Sequence, residues 1–208
     1  MITADLTGME HIIWDWNGTL LDDAHIATEV IGEILIENGL PAITLDEYRT
    51  HFCFPVENYY RKLGFDFNKT PFHFLADRFV RVFDERVKGA KLFDGVTDLL
   101  DSISNQGIQQ SILSAASQTH LDEIVDHFGV TRYFKRIYGL DNHYAKSKLH
   151  RGKQLILDIP ISKEKTVFIG DTDHDLEVGQ ELGIRVILLN GGHQNHSNCP
   201  QRIGFLPR

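Results

Sequence analysis

The feature that most narrows the fold of this chain is an alternation of short apolar runs with amphipathic stretches. Five runs rich in β-branched residues, HIIWDW (11–16), QQSILSA (109–115), KRIYGL (135–140), TVFIGD (166–171) and RVILLN (185–190), read as buried strands. Four segments between them, 94–107, 117–129, 146–158 and 173–183, carry helical spacing, and several close on a glycine. Strand-helix alternation of this kind predicts an α/β fold, a doubly wound parallel sheet with helices on both faces. Ligands in such sheets collect at the carboxyl ends of the strands.

The rhythm breaks between residues 22 and 89, where DDAHIATEVIGEILIENGL, TLDEYRTHF, VENYYRKLGF and PFHFLADRFVRVFDERVKG are amphipathic helical patterns without a convincing strand. The expected organisation is a core built from 1–21 and 90–208 with an all-helical insert over 22–89. An insert leaving the sheet so close to the first strand shares its ligand crevice. A length of 208 residues with 42% hydrophobic content supports one substantial domain with a small insert. The net charge of -8 argues against nucleic-acid and anionic-membrane surfaces, which leaves small molecules as partners. Oligomeric state is not legible. Cys53 and Cys199 have no CxxC partner, so reduced thiols are expected. The opening MITADLTGMEH has no apolar leader pattern and no run reaches the length of a membrane span, so a soluble, cytoplasmic protein is expected. The turn-rich tail GGHQNHSNCPQRIGFLPR reads as surface loop.

The strand ends carry the polar residues. Asp15 closes the first run, Ser114 the second and Asp171 the fourth, and buried polar groups without partners cost about 1–3 kcal/mol each. A shared solvated or metal-filled site explains them better than a core. GDTDHD adds Asp173 and Asp175, and crowded carboxylates are relieved by a hard cation with oxygen ligands, for which Mg²⁺ fits. The plainer alternative is capping of the following helix, and for Asp173 it is the better one. Lys148 opens the third core helix, where an ammonium could neutralise a carboxylate and a transferring phosphoryl group; Lys146 and Lys153 compete for that role. The Gly18-Thr19 turn offers backbone N–H groups to an anion beside Asp15. In the insert, Arg61 and Lys62 are cations that a substrate anion could meet, against the simpler reading of solvated charges beside packed aromatics.

Taken together, DWNGTLLDD, SILSAA, SKLHRGK and GDTDHD, in that order, with LFDGVTDLLDSI where the chain re-enters the core, resemble the haloacid dehalogenase-like hydrolase superfamily. The match is to the phosphoglycolate-phosphatase-like subgroup, whose helical cap follows the first strand of a Rossmann-like core. The resemblance implies a Mg²⁺-dependent phosphatase of a small phosphorylated metabolite, working through an aspartyl-phosphate. Asp15 would be the nucleophile, and Asp15, the carbonyl of Asn17, Asp171 and Asp175 would form the metal site. Ser114 and Lys148 would hold the phosphoryl oxygens, with Gly18, Thr19 and Ala115 lining the phosphate site and Arg61 meeting the rest of the substrate.

Asn17 departs from that pattern. The family's phosphatases place an aspartate there to protonate the leaving oxygen and activate water, and loss of such help typically costs roughly 10²–10⁴ in rate. Three explanations stand open: His174, His193 or His25 substitutes; the enzyme is slow or restricted to good leaving groups; or residue 17 is an introduced substitution. A second class of function also stands open, a phosphate- and Mg²⁺-binding regulatory module with little turnover.

Overall fold

The computed structural model of the chain describes residues 6–141 and 147–195. Strand β1 (His11–Trp14) is followed by a short β2 (Leu21–Asp22), helices α1 (Ala24–Glu37), α2 (Leu45–His51), α3 (Val56–Lys62) and α4 (Phe72–Arg86), and a short β3 (Lys91–Leu92). The chain continues through α5 (Val96–Asn105), β4 (Gln109–Ser117), α6 (Gln118–His127), β5 (Arg136–Leu140), α7 (Leu149–Asp158), β6 (Thr166–Gly170), α8 (Asp173–Leu182) and β7 (Arg185–Leu188). The five main strands form one parallel sheet in the order β5-β4-β1-β6-β7. The expected α/β class with a doubly wound parallel sheet is what the chain adopts.

Period-two alternation sorts the core into two layers. Ile12, Trp14, Ile112, Val167 and Ile169 pack with Leu100 and Ile103 of α5 and Leu121 and Ile124 of α6. Ile13, Leu113 and Phe168 point the other way, onto Leu155 of α7 and Val178 and Leu182 of α8. Because both faces are covered, β1 is buried at all four positions. Two polar pairs sit inside this sheet: His11 Nε2 is 3.0 Å from Ser111 Oγ, and Trp14 Nε1 donates to Gln110 Oε1 at 3.1 Å.

Helices α1–α4 lie between the two strands of an antiparallel ribbon, Leu21 pairing with Leu92 and Asp22 with Lys91. The insert pattern did not disclose this ribbon, since two residues are too few for a period. Val30, Ile31, Ile34 and Leu35 of α1 pack with Tyr59, Tyr60, Leu75 and Val82 in a cluster continuous with the first sheet layer. Arg86 binds Glu33 at 2.7 and 2.9 Å and Arg78 binds Glu37 at 2.8 Å, tying α4 to α1 on the outside. Thr44 and Glu47 form a reciprocal capping box that starts α2, the S/T-x-x-E signature in TLDE. Among the described residues, no helix is long and apolar enough to cross a membrane.

Candidate active site

In this strand order the chain switches direction at β1, so its carboxyl end, flanked by β4 and β6, is where a crevice must open. Asp15 follows β1 and extends its ladder, its N–H donating to Ile169 O at 2.8 Å. Asp171 follows β6, and Asp175 sits one turn into α8. Carboxylate oxygens of these three buried acids lie within 4.8 Å of one another. Lys148, immediately before α7, sends its ammonium between them, 2.5 Å from Asp15 Oδ1, 2.7 Å from Asp175 Oδ1 and 3.0 Å from Leu113 O. Of its competitors, Lys153 is exposed on α7, and Lys146 lies outside the described residues, as does Cys199.

Asp175 serves two structures at once. Its Oδ2 accepts from Thr172 N (2.8 Å), Thr172 Oγ1 (2.7 Å) and Asp171 N (3.1 Å), closing a capping box in which Thr172 is the N-cap of α8. Its other oxygen faces Lys148. Asp173 is therefore a first-turn residue rather than the cap; it is exposed, and its N–H donates to Gln194 Oε1 at 2.6 Å. Asp171 accepts from Thr19 Oγ1 at 2.8 Å and from His193 N at 2.6 Å.

The Gly18 N–H is not open to an anion as the turn suggested. It donates to Asp23 Oδ1 at 2.8 Å and to Leu21 O at 2.9 Å, and the Thr19 hydroxyl is taken by Asp171. Gly18 is required for another reason: φ is +72°, and a Cβ there would lie 2.4 Å from Asp171 Oδ2. Ser114 is buried on β4, its Oγ accepting from Ala116 N at 3.1 Å, and Ala115 lines the crevice beside it. Arg61 is not brought to the crevice. It is exposed, held by Glu57 at 2.7 Å and stacked 4.5 Å over the Phe67 ring, because a helical i,i+4 partner and a neighbouring face were nearer than the strand ends.

A second buried network adjoins the acids, and little of it was legible beforehand. Asp23 is the N-cap of α1 yet makes no capping bond. Its carboxylate instead accepts from Asn17 Nδ2 at 2.6 Å and from Gly18 N, and lies 3.2 Å from His193 Nε2. His193 Nδ1 is 2.7 Å from Tyr48 Oη of α2. The start of the presumed surface tail is thus interior: Gly192, His193 and Gln194 are buried. The only sequence signals were an acid at an N-cap, already inside the motif DWNGTLLDD, and a double glycine next to histidine. The remainder of the tail lies outside the described residues.

Electrostatics follows from burying so many acids together. Burial pushes the Asp15 carboxyl well above the usual carboxylate range; Lys148 opposes this, and Asp175 and Asp171 add to it. Burial likewise raises Asp171 to about 6, against the pull of His193. For Asp175, burial is overcome by Lys148 and the Thr172 hydrogen bonds, which hold it below its ordinary value. Burial works against the Lys148 ammonium, but Asp15 and Asp175 carry it above a normal lysine. His193 is pressed down by burial and lifted more strongly by Asp23, Asp171 and Asp15, to about 9. Both ring nitrogens of that imidazolium are donors, matching Tyr48 and Asp23. His174 is buried and lowered by burial and then by Lys148; its Nε2 has no hydrogen-bond partner. His25, the third candidate, is exposed on α1 and away from the crevice. The donor set of three hard carboxylates, two of them raised by burial, is what a divalent cation with oxygen ligands fits.

Residues 12–189 match the haloacid dehalogenase-like hydrolase family. The chain belongs to this family. Among curated relatives, phosphoglycolate phosphatase of Pectobacterium atrosepticum is 23% identical over 91% of this chain and 84% of its own length. A 5'-nucleotidase of Pseudomonas aeruginosa is 26% identical over 85% of this chain and 80% of its own. Tyrosine-protein kinase PtkA of Mycobacterium tuberculosis is 23% identical over 88% of this chain and 62% of its own. The fold of this haloacid dehalogenase-like hydrolase superposes on a hydrolase of the same family from Streptococcus pneumoniae with a TM-score of 0.78 at 20% identity, covering 91% of this chain and 89% of the other. A predicted phosphatase from Clostridium acetobutylicum gives 0.77 at 19% identity over 90% and 88%.

Proposed function

We propose that this hydrolase is a Mg²⁺-dependent phosphatase of a small phosphorylated metabolite, with Asp15 as the group that accepts the phosphoryl. The observation that carries the proposal is the convergence of Asp15, Asp171 and Asp175 within 4.8 Å, with one ammonium set against them. The names of the curated relatives, a phosphoglycolate phosphatase and a nucleotidase, support phosphoric monoesters as the substrate class. A cytoplasmic setting belongs to the same proposal.

Asp15, Asp171, Asp175 and the carbonyl of Asn17 would hold the Mg²⁺, which when bound supplies positive charge to the carboxylates and to phosphoryl oxygens. The chain's own part is then specific. Lys148, donating to Asp15 and Leu113 O and paired with Asp175, opposes the burial that disfavours the Asp15 carboxylate and aims that side chain. An Asp15 oxygen attacks phosphorus as the bond to the leaving oxygen breaks, and water then cleaves the acyl phosphate to release inorganic phosphate and the carboxylate. Ser114 of β4 lines the crevice, where its hydroxyl can bond a phosphoryl oxygen. Of the three histidines, His174 both lines the crevice and keeps a ring nitrogen without a partner, so it is the one left to take a proton from the attacking water. Helices α1–α4, set over the strand ends, act as the lid, with 1–21 and 90–208 as the core.

Hydrolysis of 4-nitrophenyl phosphate by the purified protein tests this directly. Turnover is expected with Mg²⁺, to vanish with EDTA, and to fall at least 10³-fold in Asp15→Asn. Binding of phosphate and Mg²⁺ with no turnover would favour the regulatory alternative, for which Asn17 is the one favourable observation.

A further inference from the structure

The crevice, with the acids at one end and the residues of α2, α3 and α4 over the rest, has a volume of about 260 Å³. Its far wall is aromatic: Phe52, Phe54, Tyr59, Phe72, Phe79 and Phe83, with Phe79 and Phe83 stacked at 5.4 Å and 12°. Among the described residues lining it, Lys148 is the only lysine and no arginine is present. The charged side chain on the helical wall is an acid, Asp84, 3.3 Å from His120 Nε2 at the rim. Tyr59 Oη is buried at this wall without a hydrogen-bond partner.

A carboxylate or second phosphate on the leaving group would be stripped of water at the helical wall, where no lysine or arginine among the described lining residues receives it and where His193 is already engaged by Tyr48 and Asp23. A flat apolar ring would instead meet ring faces and edges along that wall. Space agrees: a dry cavity of roughly 150 Å³ takes benzene, so 260 Å³ holds one ring beside a phosphoryl group. The second, independent observation is Asn17. Its amide is bonded to Asp23 and has no proton to give, and both ring nitrogens of His193 are engaged by Tyr48 and Asp23. With His174 placed as the base toward the attacking water and not as an acid, the leaving oxygen departs without a proton and must be a stable anion on its own.

We infer that the preferred substrates of this site are uncharged aryl phosphate monoesters, the aromatic wall selecting the ring and Asn17 selecting the phenolic leaving group. The inference rests on the phosphatase reading above. In the step that selects, an Asp15 oxygen bonds phosphorus, the phosphorus–oxygen bond to the ring breaks, and its electron pair leaves as phenolate, which takes a proton from solvent water.

Steady-state kinetics with Mg²⁺ on phenyl phosphate, benzyl phosphate, 2-phosphoglycolate and acetyl phosphate separate the parts. The expected result is a kcat/KM for phenyl phosphate at least 100-fold above both 2-phosphoglycolate and benzyl phosphate. Benzyl phosphate should still compete with a Ki near the KM of phenyl phosphate, since it fits the wall but leaves poorly. Val80→Arg, which adds a cation to the lining, should narrow the gap between phenyl phosphate and 2-phosphoglycolate at least tenfold, and Ala76→Leu, which fills the cavity, should hurt phenyl phosphate more than acetyl phosphate. Turnover of 2-phosphoglycolate or benzyl phosphate equal to that of phenyl phosphate overturns the inference and leaves the phosphatase standing. No turnover of any of the four overturns both.

Discussion

At position 17 a single atom separates an amide from an acid, and the neighbours decide what that atom does. Asn17 Nδ2 donates to Asp23 at 2.6 Å, so Asn17→Asp would set two carboxyls against each other. Like charges at that range force one carboxyl to keep a proton near neutrality, which is what a general acid requires. We therefore expect Asn17→Asp to raise kcat on an alkyl phosphate such as benzyl phosphate by roughly 10²-fold or more, and to change phenyl phosphate far less. An equal effect on both, measured side by side, would remove residue 17 from leaving-group chemistry. Gly18 is a second position where substitution is narrowly limited. In Gly18→Ala the new methyl meets Asp171 Oδ2 and His193 at a backbone φ that L side chains rarely adopt. Loss of Mg²⁺ binding by calorimetry is expected even in whatever fraction folds.

Between β1 and β4, the His11 ring reaches two residues along the partner strand to the Ser111 hydroxyl, with no exposure for either. Burial lowers the His11 pKa from 6.5 to about 4. An unfolded chain binds the His11 proton below pH 6.5, whereas the folded chain resists it until about pH 4. The pair's contribution is therefore full above pH 6.5 and is lost as pH falls through that window, a change on the order of 3 kcal/mol. Urea midpoints recorded from pH 7 to pH 4 should fall less steeply in His11→Gln than in the wild type, and parallel slopes would show that His11 titrates normally. Other elements rest on local rules: the Thr44–Glu47 box starts α2, and the Thr172–Asp175 box starts α8 while also holding Asp175 toward the site.

The helices proposed as the lid are joined to a short stretch at the end of the described chain. Arg49 donates to Gly192 O at 2.8 Å and Gly191 O at 2.7 Å, Gln194 Nε2 donates to Phe52 O at 2.8 Å, and Asn195 N donates to Arg49 O at 3.3 Å. Tyr48 and His193 add a buried contact on the same seam. Hydrogen bonds from charged donors are worth about 1.5–3 kcal/mol each. Arg49→Ala removes two and leaves both carbonyls without that donor. Amide exchange over residues 45–62 should accelerate at least tenfold with little change in α5–α8, and KM should rise more than kcat falls. Uniform acceleration across the sheet would instead mean that the seam supports global stability rather than the lid.

The parallel sheet, its helices and the two acids at strand ends, with Asp175 beside them in GDTDHD, were readable along the chain, because hydrophobic period and strand termini are local properties and the doubly wound rule converts them into a place. Lys148 was readable as a candidate but not against Lys153, since only the path of the chain into α7 aims one ammonium inward. Asp23, Tyr48 and His193 lie far apart in sequence and meet through contacts spanning 145 and 170 residues, which no local period encodes. The same holds for Arg61, whose charge the sequence offered to a substrate and whose nearest partner turned out to be Glu57. Burial and charge compensation depend on all neighbours at once. Backbone pattern thus follows from order along the chain, whereas the partner of each charge follows from folding in three dimensions.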